Sequence, residues 1–80
     1  METVNRLPAG NAVIGAKEVV KSIKSGKVKR VIVANNCPQH LIERIESAGK
    51  VVVEVFEGNQ KEFSIRLGKP FLIAAAGFEK

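Results

Sequence analysis

Short apolar runs and helix-periodic stretches take turns along this chain, and nearly every change from one to the other is marked by Gly, Pro or Asn. Ala12-Val13-Ile14 is a strand candidate, and Gly15 lets the backbone turn tightly out of it. A helix follows over residues 16–25, because Ala16, Val19, Val20 and Ile23 keep the i, i+3, i+4, i+7 spacing of a single face. Gly26 stands where glycine is favoured just past a helix end. Residues 28–34 open with alternation and close on a β-branched run, the pattern of a strand covered on both faces. Asn35-Asn36-Cys37-Pro38 is a turn, with Pro38 suited to the first turn of the next helix. That helix has Leu41, Ile42, Ile45 and Ala48 on its apolar face and Gly49 at its end.

Residues 51–56 form a further strand, and Glu57-Gly58 a turn. Asn59 with Glu62 three positions on is a variant of the capping box, so a third helix starts there. Phe63 and Leu67 share its face, and Gly68 and Pro70 end it. Residues 71–78 read as a closing strand rich in small residues. About four strands alternating with three helices predict a three-layer α/β/α sandwich around a mixed sheet. Residues 12–80 make one domain, and residues 1–11, with Pro8, Gly10 and little periodicity, are expected to be a flexible arm.

The totals narrow the function. Eighty residues leave room for one small core. A net charge of +5 suits nucleic acid, an anionic membrane surface or an acidic protein. The apolar runs are shorter than the roughly 20 residues a membrane helix needs, and residues 1–10 have no signal-peptide pattern, so a cytosolic location is expected. One cysteine, Cys37, excludes an internal disulfide and fits a reducing compartment.

Catalysis needs a positioned nucleophile and a base, and the chain offers one histidine, His40, three residues after Cys37. Nothing else supports a thiol–imidazole pair. Glu43 and Glu46 suit surface ion pairs on a helix better than a metal or paired-acid site. Neither phosphate-loop pattern, Gly-x(4)-Gly-Lys-[Ser/Thr] or Gly-x-Gly-x-x-Gly, occurs. The expectation is a protein that is not an enzyme and takes no cofactor, metal or small-molecule substrate.

A binding role has more support. Lys17, Lys21 and Lys24 lie on the first helix opposite its apolar face, and its first amides open behind Gly15. Lysines also fill such a face simply for solubility, so the helix by itself leaves both readings standing. The turns at Gly15, at Asn35 to Pro38 and at Gly68 to Phe71 are expected at one end of the sheet. There they would combine helix amides, lysines, two side-chain amides for base edges and an aromatic ring that can stack on a base. Phe71 also has a competing role as a core residue at the start of a strand.

The run Gly15-x-Lys17-x-x-Val20-Lys21-Ser22-Ile23-Lys24-x-Gly26-Lys27-x-Lys29-x-Val31-Ile32-Val33-Ala34-x-Asn36-x-Pro38, then Phe56-Glu57-Gly58 and Leu67-Gly68-Lys69-x-Phe71, resembles the large-subunit ribosomal protein family L-thirty-e of archaea and eukaryotes. That family is part of the kink-turn-binding L-seven-Ae superfamily. The likeness covers residues 12–78 and implies an α/β/α sandwich that binds a kink-turn, a sharply bent RNA element with tandem sheared G·A pairs. By the same resemblance, Gly15 lets the backbone approach the RNA, Lys17 contacts it, and Lys21 meets phosphate. Asn36, beside Asn35, hydrogen-bonds a base, and Phe71, after Lys69, stacks on or wedges against an extruded base. General kink-turn adaptors carry Asn-Glu where this chain has Lys17-Glu18; Glu18 keeps the base-contacting part, and Lys17 points to the ribosomal branch.

Two departures stand out. The segment before Ala12 is too short for the additional N-terminal helix usual in the family, which would leave part of the sheet or of the last helix less covered. The stretch between Ile45 and Val51 is also short, implying a trimmed second helix. The implied function is a non-catalytic protein of the large ribosomal subunit, in the cytoplasm, binding a kink-turn in rRNA. The alternatives are a free-standing kink-turn adaptor of other ribonucleoproteins and a protein-interaction module of the same fold.

Overall fold

The computed structural model describes residues 1–8 and 11–79. Its elements in chain order are β1 (Thr3–Val4), β2 (Val13–Ile14), α1 (Ala16–Lys24), β3 (Arg30–Val33), α2 (Gln39–Ala48), β4 (Val52–Phe56), α3 (Gln60–Arg66) and β5 (Ala75–Phe78). The strands form one mixed sheet in the order β1-β4-β3-β5-β2. β1, β4 and β3 are parallel, whereas β5 is antiparallel to both β3 and β2. β2 therefore runs in the same direction as β3.

The continuous apolar character of β3 has a direct cause, since successive side chains leave a strand on opposite faces. Val31 and Val33 pack with Val19 and Ile23 of α1, Ile42 and Ile45 of α2, and Ala75. Ile32 and the following Ala34 pack with Phe56, Phe63 of α3, Ile73, Ala76 and Phe78 on the other side. Each Val, Ile or Phe side chain among these is worth about 1.5–3 kcal/mol when fully buried. The two small cores thus share a strand, and the expected α/β/α layering is what the chain adopts.

The small residues of β5 let α1 come close. A Cβ on Gly77 would stand 2.8 Å from Val28 Cγ1 and 3.5 Å from Val19 Cγ2. On the opposite face the rings of Phe56 and Phe63 stack at 5.1 Å. The reciprocal cap of α3 also forms: Asn59 Oδ1 accepts from Glu62 N at 2.9 Å, and Asn59 N donates to Glu62 Oε1 at 3.2 Å.

Four expectations need correction. The sheet has five strands rather than about four, and the additional one comes from the segment 1–11 that was expected to be a flexible arm. Val55 N donates to Glu2 O at 2.7 Å and Glu57 N to Val4 O at 3.0 Å, so β1 satisfies donors on the outer edge of β4. Arg66 Nη2 then holds Asn5 O at 2.9 Å. A two-residue strand is too short to show any alternation, which is why sequence pattern misses it. Ala9 and Gly10, in the same segment, lie outside the described residues.

The closing strand begins at Ala75, not at Phe71. β3 ends at Val33, Ala34 N donates to Ala74 O at 2.8 Å, and the chain of β3 then turns away, so residues 71–73 have no strand left to pair with. The strand expected from Val28 is likewise shorter, spanning Arg30–Val33. Finally, Glu43 and Glu46 form no ion pair among the described residues; the pair that does form joins Arg30 to Glu54. It lies on the α3 side of the sheet near Val52, which is 61% exposed, so this part of that face carries an ion pair and open surface where the other carries hydrocarbon.

Phe63 is fully buried while Phe71 is 55% exposed. Phe63→Ala should therefore lower stability in urea denaturation by about 3–5 kcal/mol. Phe71→Ala should change it by no more than about 0.5 kcal/mol. A large loss at Phe71 would return that ring to the core.

Candidate nucleic-acid interface

Ligand sites in open α/β sheets form outside the carboxyl ends of the strands. Here β2, β3 and β4 all run toward one end. Three strand-to-helix turns therefore gather there, together with the loop between α3 and β5. Backbone bonds fix them to one another. Gly15 N donates to Ala75 O at 3.1 Å, Ala34 N to Ala74 O at 2.8 Å, and Asn35 N to Gly58 O at 3.0 Å.

Gly15 is the N-cap of α1, with φ 95° and ψ 143°, a conformation that residues with a Cβ rarely adopt. A Cβ there would meet nothing within 4 Å, so backbone angle rather than crowding requires glycine, and the space above it is open. The first bond of α1 is Val19 N to Gly15 O at 2.9 Å, and α1 has no side-chain cap. The amides of Ala16, Lys17 and Glu18 precede that bond, at the positive end of the helix dipole. Lys17, Glu18 and Lys21 are exposed. α2, with Pro38 as its N-cap, also lacks a side-chain cap.

The start of α3 is closed by comparison. Besides the capping box, Asn36 Oδ1 accepts from Gln60 N at 3.0 Å, and Gln60 Nε2 reaches Asn36 O at 3.4 Å. The oxygen of Asn36 is thus engaged within the protein. Its amide NH₂ has no partner among the described residues and is the group left to donate. Asn35 is tied more fully, with its backbone on Gly58 and its Nδ2 3.4 Å from Glu57 O.

Phe71 and Leu72 are 55% and 65% exposed, which removes the core role that competed for Phe71. They line a shallow depression with Pro70, Lys69, Lys61 and Ile65. Lys69 N is held by Ser64 O at 2.9 Å, anchoring this loop to α3. The structure thus brings Gly15, Lys17, Glu18, Asn35, Asn36, Lys69 and Phe71 to one end, with Lys21 a turn farther along α1.

Leu72, Lys61 and Gln60 join this surface without having been expected there. Leu72 looked like a strand residue, and its exposure follows only from where β3 ends. The Asn36–Gln60 contact joins residues 24 positions apart and leaves no mark in the local pattern. Cys37 is half-buried, its thiol contacts Pro38 O at 3.7 Å, and burial pushes its pKa up. His40 is exposed. Among the described residues no group of three or more His, Cys, Asp or Glu side chains is arranged to hold a metal ion. No described helix is long and apolar enough to cross a membrane.

The fold is that of a small α/β protein whose loop end carries exposed lysines and an exposed aromatic ring. The chain belongs to the ribosomal protein L7Ae/L30e/S12e/Gadd45 family, whose profile matches residues 2–78. It is 41% identical over 69 residues to large ribosomal subunit protein eL30 of Archaeoglobus fulgidus, covering 86% of this chain and 79% of that one. Identity to the protein of the same name from Methanothermobacter thermautotrophicus is 39% over 69 residues, covering 82% and 70%. The L-thirty-e resemblance seen in the motifs is therefore borne out.

Among solved structures, a Giardia lamblia 15.5 kD RNA-binding protein superposes with a TM-score of 0.64 at 26% identity, over 86% of this chain and 60% of that one. A Bacillus halodurans protein of unknown function superposes with a TM-score of 0.68 at 20% identity, over 86% and 71%, a likeness of fold.

Gly15→Ala should destabilise the protein by about 1–3 kcal/mol, because alanine strains this backbone conformation without any clash to relieve. Thermal or urea denaturation measures it, and a neutral effect would show that the turn relaxes freely.

Proposed function

We propose that this chain is a non-catalytic protein of the large ribosomal subunit that binds a kink-turn, or a loop of kink-turn shape, in rRNA. The observation that carries the reading is the convergence of three kinds of group at one end of the sheet. The uncapped start of α1 with Lys17 and Lys21 offers charge and amides to phosphate. The Asn36 NH₂, oriented by Gln60, offers a directed donor to a base edge. The exposed Phe71 and Leu72 offer a surface on which an unstacked base can rest. A bent loop presents close phosphates and splayed bases together, whereas a regular duplex hides its bases.

The roles divide accordingly. Gly15 leaves room for close backbone approach, and Lys17, Lys21 and Lys69 meet phosphate. Glu18 accepts hydrogen bonds from base N–H groups, Asn36 donates to a base, and Asn35 shapes the turn that presents it. The eL30 relatives support the ribosomal assignment and, with it, a cytoplasmic ribosome as the location. The eL30 relatives, named as ribosomal proteins, support a non-catalytic role.

The Giardia neighbour, described by RNA binding alone, favours a second reading: a free-standing kink-turn adaptor. Co-sedimentation with large ribosomal subunits at moderate salt separates the two, because an adaptor stays in the supernatant.

Gel-shift titration tests recognition itself, using a kink-turn RNA and the same RNA with its G·A pairs replaced. The intact element should bind at least about tenfold tighter; equal affinities would leave only polyelectrolyte attraction, or a protein-interaction module. Phe71→Ala should weaken kink-turn binding with an unchanged salt dependence. Lys21→Gln should reduce the slope of log affinity against log salt by about one.

A further inference from the structure

Asn36 is exposed, and the oxygen and nitrogen ends of its amide are nearly equal in shape, so solvent alone would let either one face outward. A main-chain N–H breaks that symmetry because it can only donate. Gln60 N donates to Asn36 Oδ1 at 3.0 Å, which turns the oxygen inward and leaves the NH₂ outward. The Gln60 side chain adds less, since its Nε2 stands 3.4 Å from Asn36 O, beyond the usual range of about 2.7–3.2 Å.

Gln60 is the first residue of α3, directly after the N-cap Asn59. An N–H at that position has no acceptor within its own helix. The neighbouring amides are also taken inside the protein, Glu62 N by Asn59 Oδ1 at 2.9 Å and Phe63 N by Asn59 O at 2.8 Å. α3 itself is held by the fully buried Phe63 and by Arg66 Nη2 on Asn5 O. The start of α3 thus serves as an internal fixture for a side chain 24 positions away, not as a ligand site.

We propose that the main-chain N–H of Gln60 is a positioning group of the RNA end: it makes Asn36 an obligate donor, which pairs only with a base edge presenting an acceptor, a carbonyl oxygen or an unprotonated ring nitrogen. The proposal rests on the RNA-binding reading above and deepens it by naming the group that sets selectivity and the chemistry it selects. An amide free to turn would match a donor or an acceptor equally and discriminate neither. Held as it is, Asn36 leaves a base that turns an amino group toward it with two facing donors and no bond.

One substitution removes the N–H and little else. Proline suits the first position of a helix, and Asn59, at φ −78° and ψ −177°, is extended, as a residue before proline prefers. Gln60→Pro should therefore melt close to wild type. Gln60→Ala keeps the N–H and loses only the side chain. Asn36→Asp keeps an oxygen for Gln60 N but turns a second oxygen outward in place of the NH₂. Fluorescence anisotropy at physiological salt, with a kink-turn RNA and the same RNA with its G·A pairs replaced, gives an affinity ratio for each protein, and a thermal melt checks folding.

Gln60→Ala should keep the wild-type ratio within about twofold, while Gln60→Pro should lower it about three- to tenfold. Asn36→Asp should lower it about tenfold or more, because its added charge acts on both RNAs and cancels in the ratio. A role confined to stability would lower the melting temperature and leave the ratio alone. Asn36→Asp with the wild-type ratio overturns the proposal, as does Gln60→Ala being as damaging as Gln60→Pro. Should Gln60→Pro not fold, hydrogen exchange in the wild-type complex decides: a protected Gln60 amide supports the bond, and one that exchanges as fast as an open loop overturns it. Equal wild-type affinities for the two RNAs sink kink-turn recognition and the selectivity with it, whereas a preference that folded Gln60→Pro keeps in full sinks the positioning alone.

Discussion

β3 is buried on both faces, and the positions of the three helices and of β5 follow from how it is covered. Val31 and Val33 require α1 and α2 on one side, while Ile32 and Ala34 require α3 and the segment leading into β5 on the other. With helices on both faces, β3 and β4 run parallel through α2, and their outgoing turns emerge at the same end. β5, antiparallel to β3, brings its incoming loop to that end as well. The gathering of segments far apart in sequence at one end of the sheet is thus a by-product of filling two small cores around a common strand.

Much of this was legible in advance because it depends on local pattern. The helical spacing of Val19, Val20 and Ile23, the β-branched run ending at Val33, and the Asn59–Glu62 cap each reflect interactions within a few residues. What escaped depends on partners distant in the chain. β1 exists because β4 offers Val55 and Glu57 donors on its edge, and nothing in Thr3-Val4 announces that. Phe71 and Leu72 have the composition of a strand and become a loop because β3 stops short of them. The same holds for the site: Gly15, Lys17 and Asn36 could be chosen from turn chemistry and family likeness, whereas the Gln60 bond that orients Asn36 is visible only once the turns are side by side.

Charge and shape contribute differently at the loop end. Exposed lysines give attraction that salt weakens and that any polyanion satisfies. Selectivity has to come from groups with fixed direction. Asn36, held by Gln60, and the amides before the first α1 bond have such direction. So does the Phe71–Leu72 loop, anchored through Lys69 N to Ser64. Phe71 and Leu72 are adjacent and exposed beside Lys61 and Lys69, so under the proposed function they are the surface on which an unstacked base would rest.

Under the proposed function, one end of the sheet is the RNA surface and the loops at Gly15, Asn35 and Lys69 act together. Backbone amide chemical shifts, followed by two-dimensional NMR while a kink-turn RNA is titrated in, test this most directly. The largest changes should come together at Gly15 to Glu18, at Asn35 to Cys37 and at Lys69 to Leu72, all saturating at one equivalent of RNA. Changes spread over exposed lysines irrespective of position, with those three loops unmoved, would contradict it.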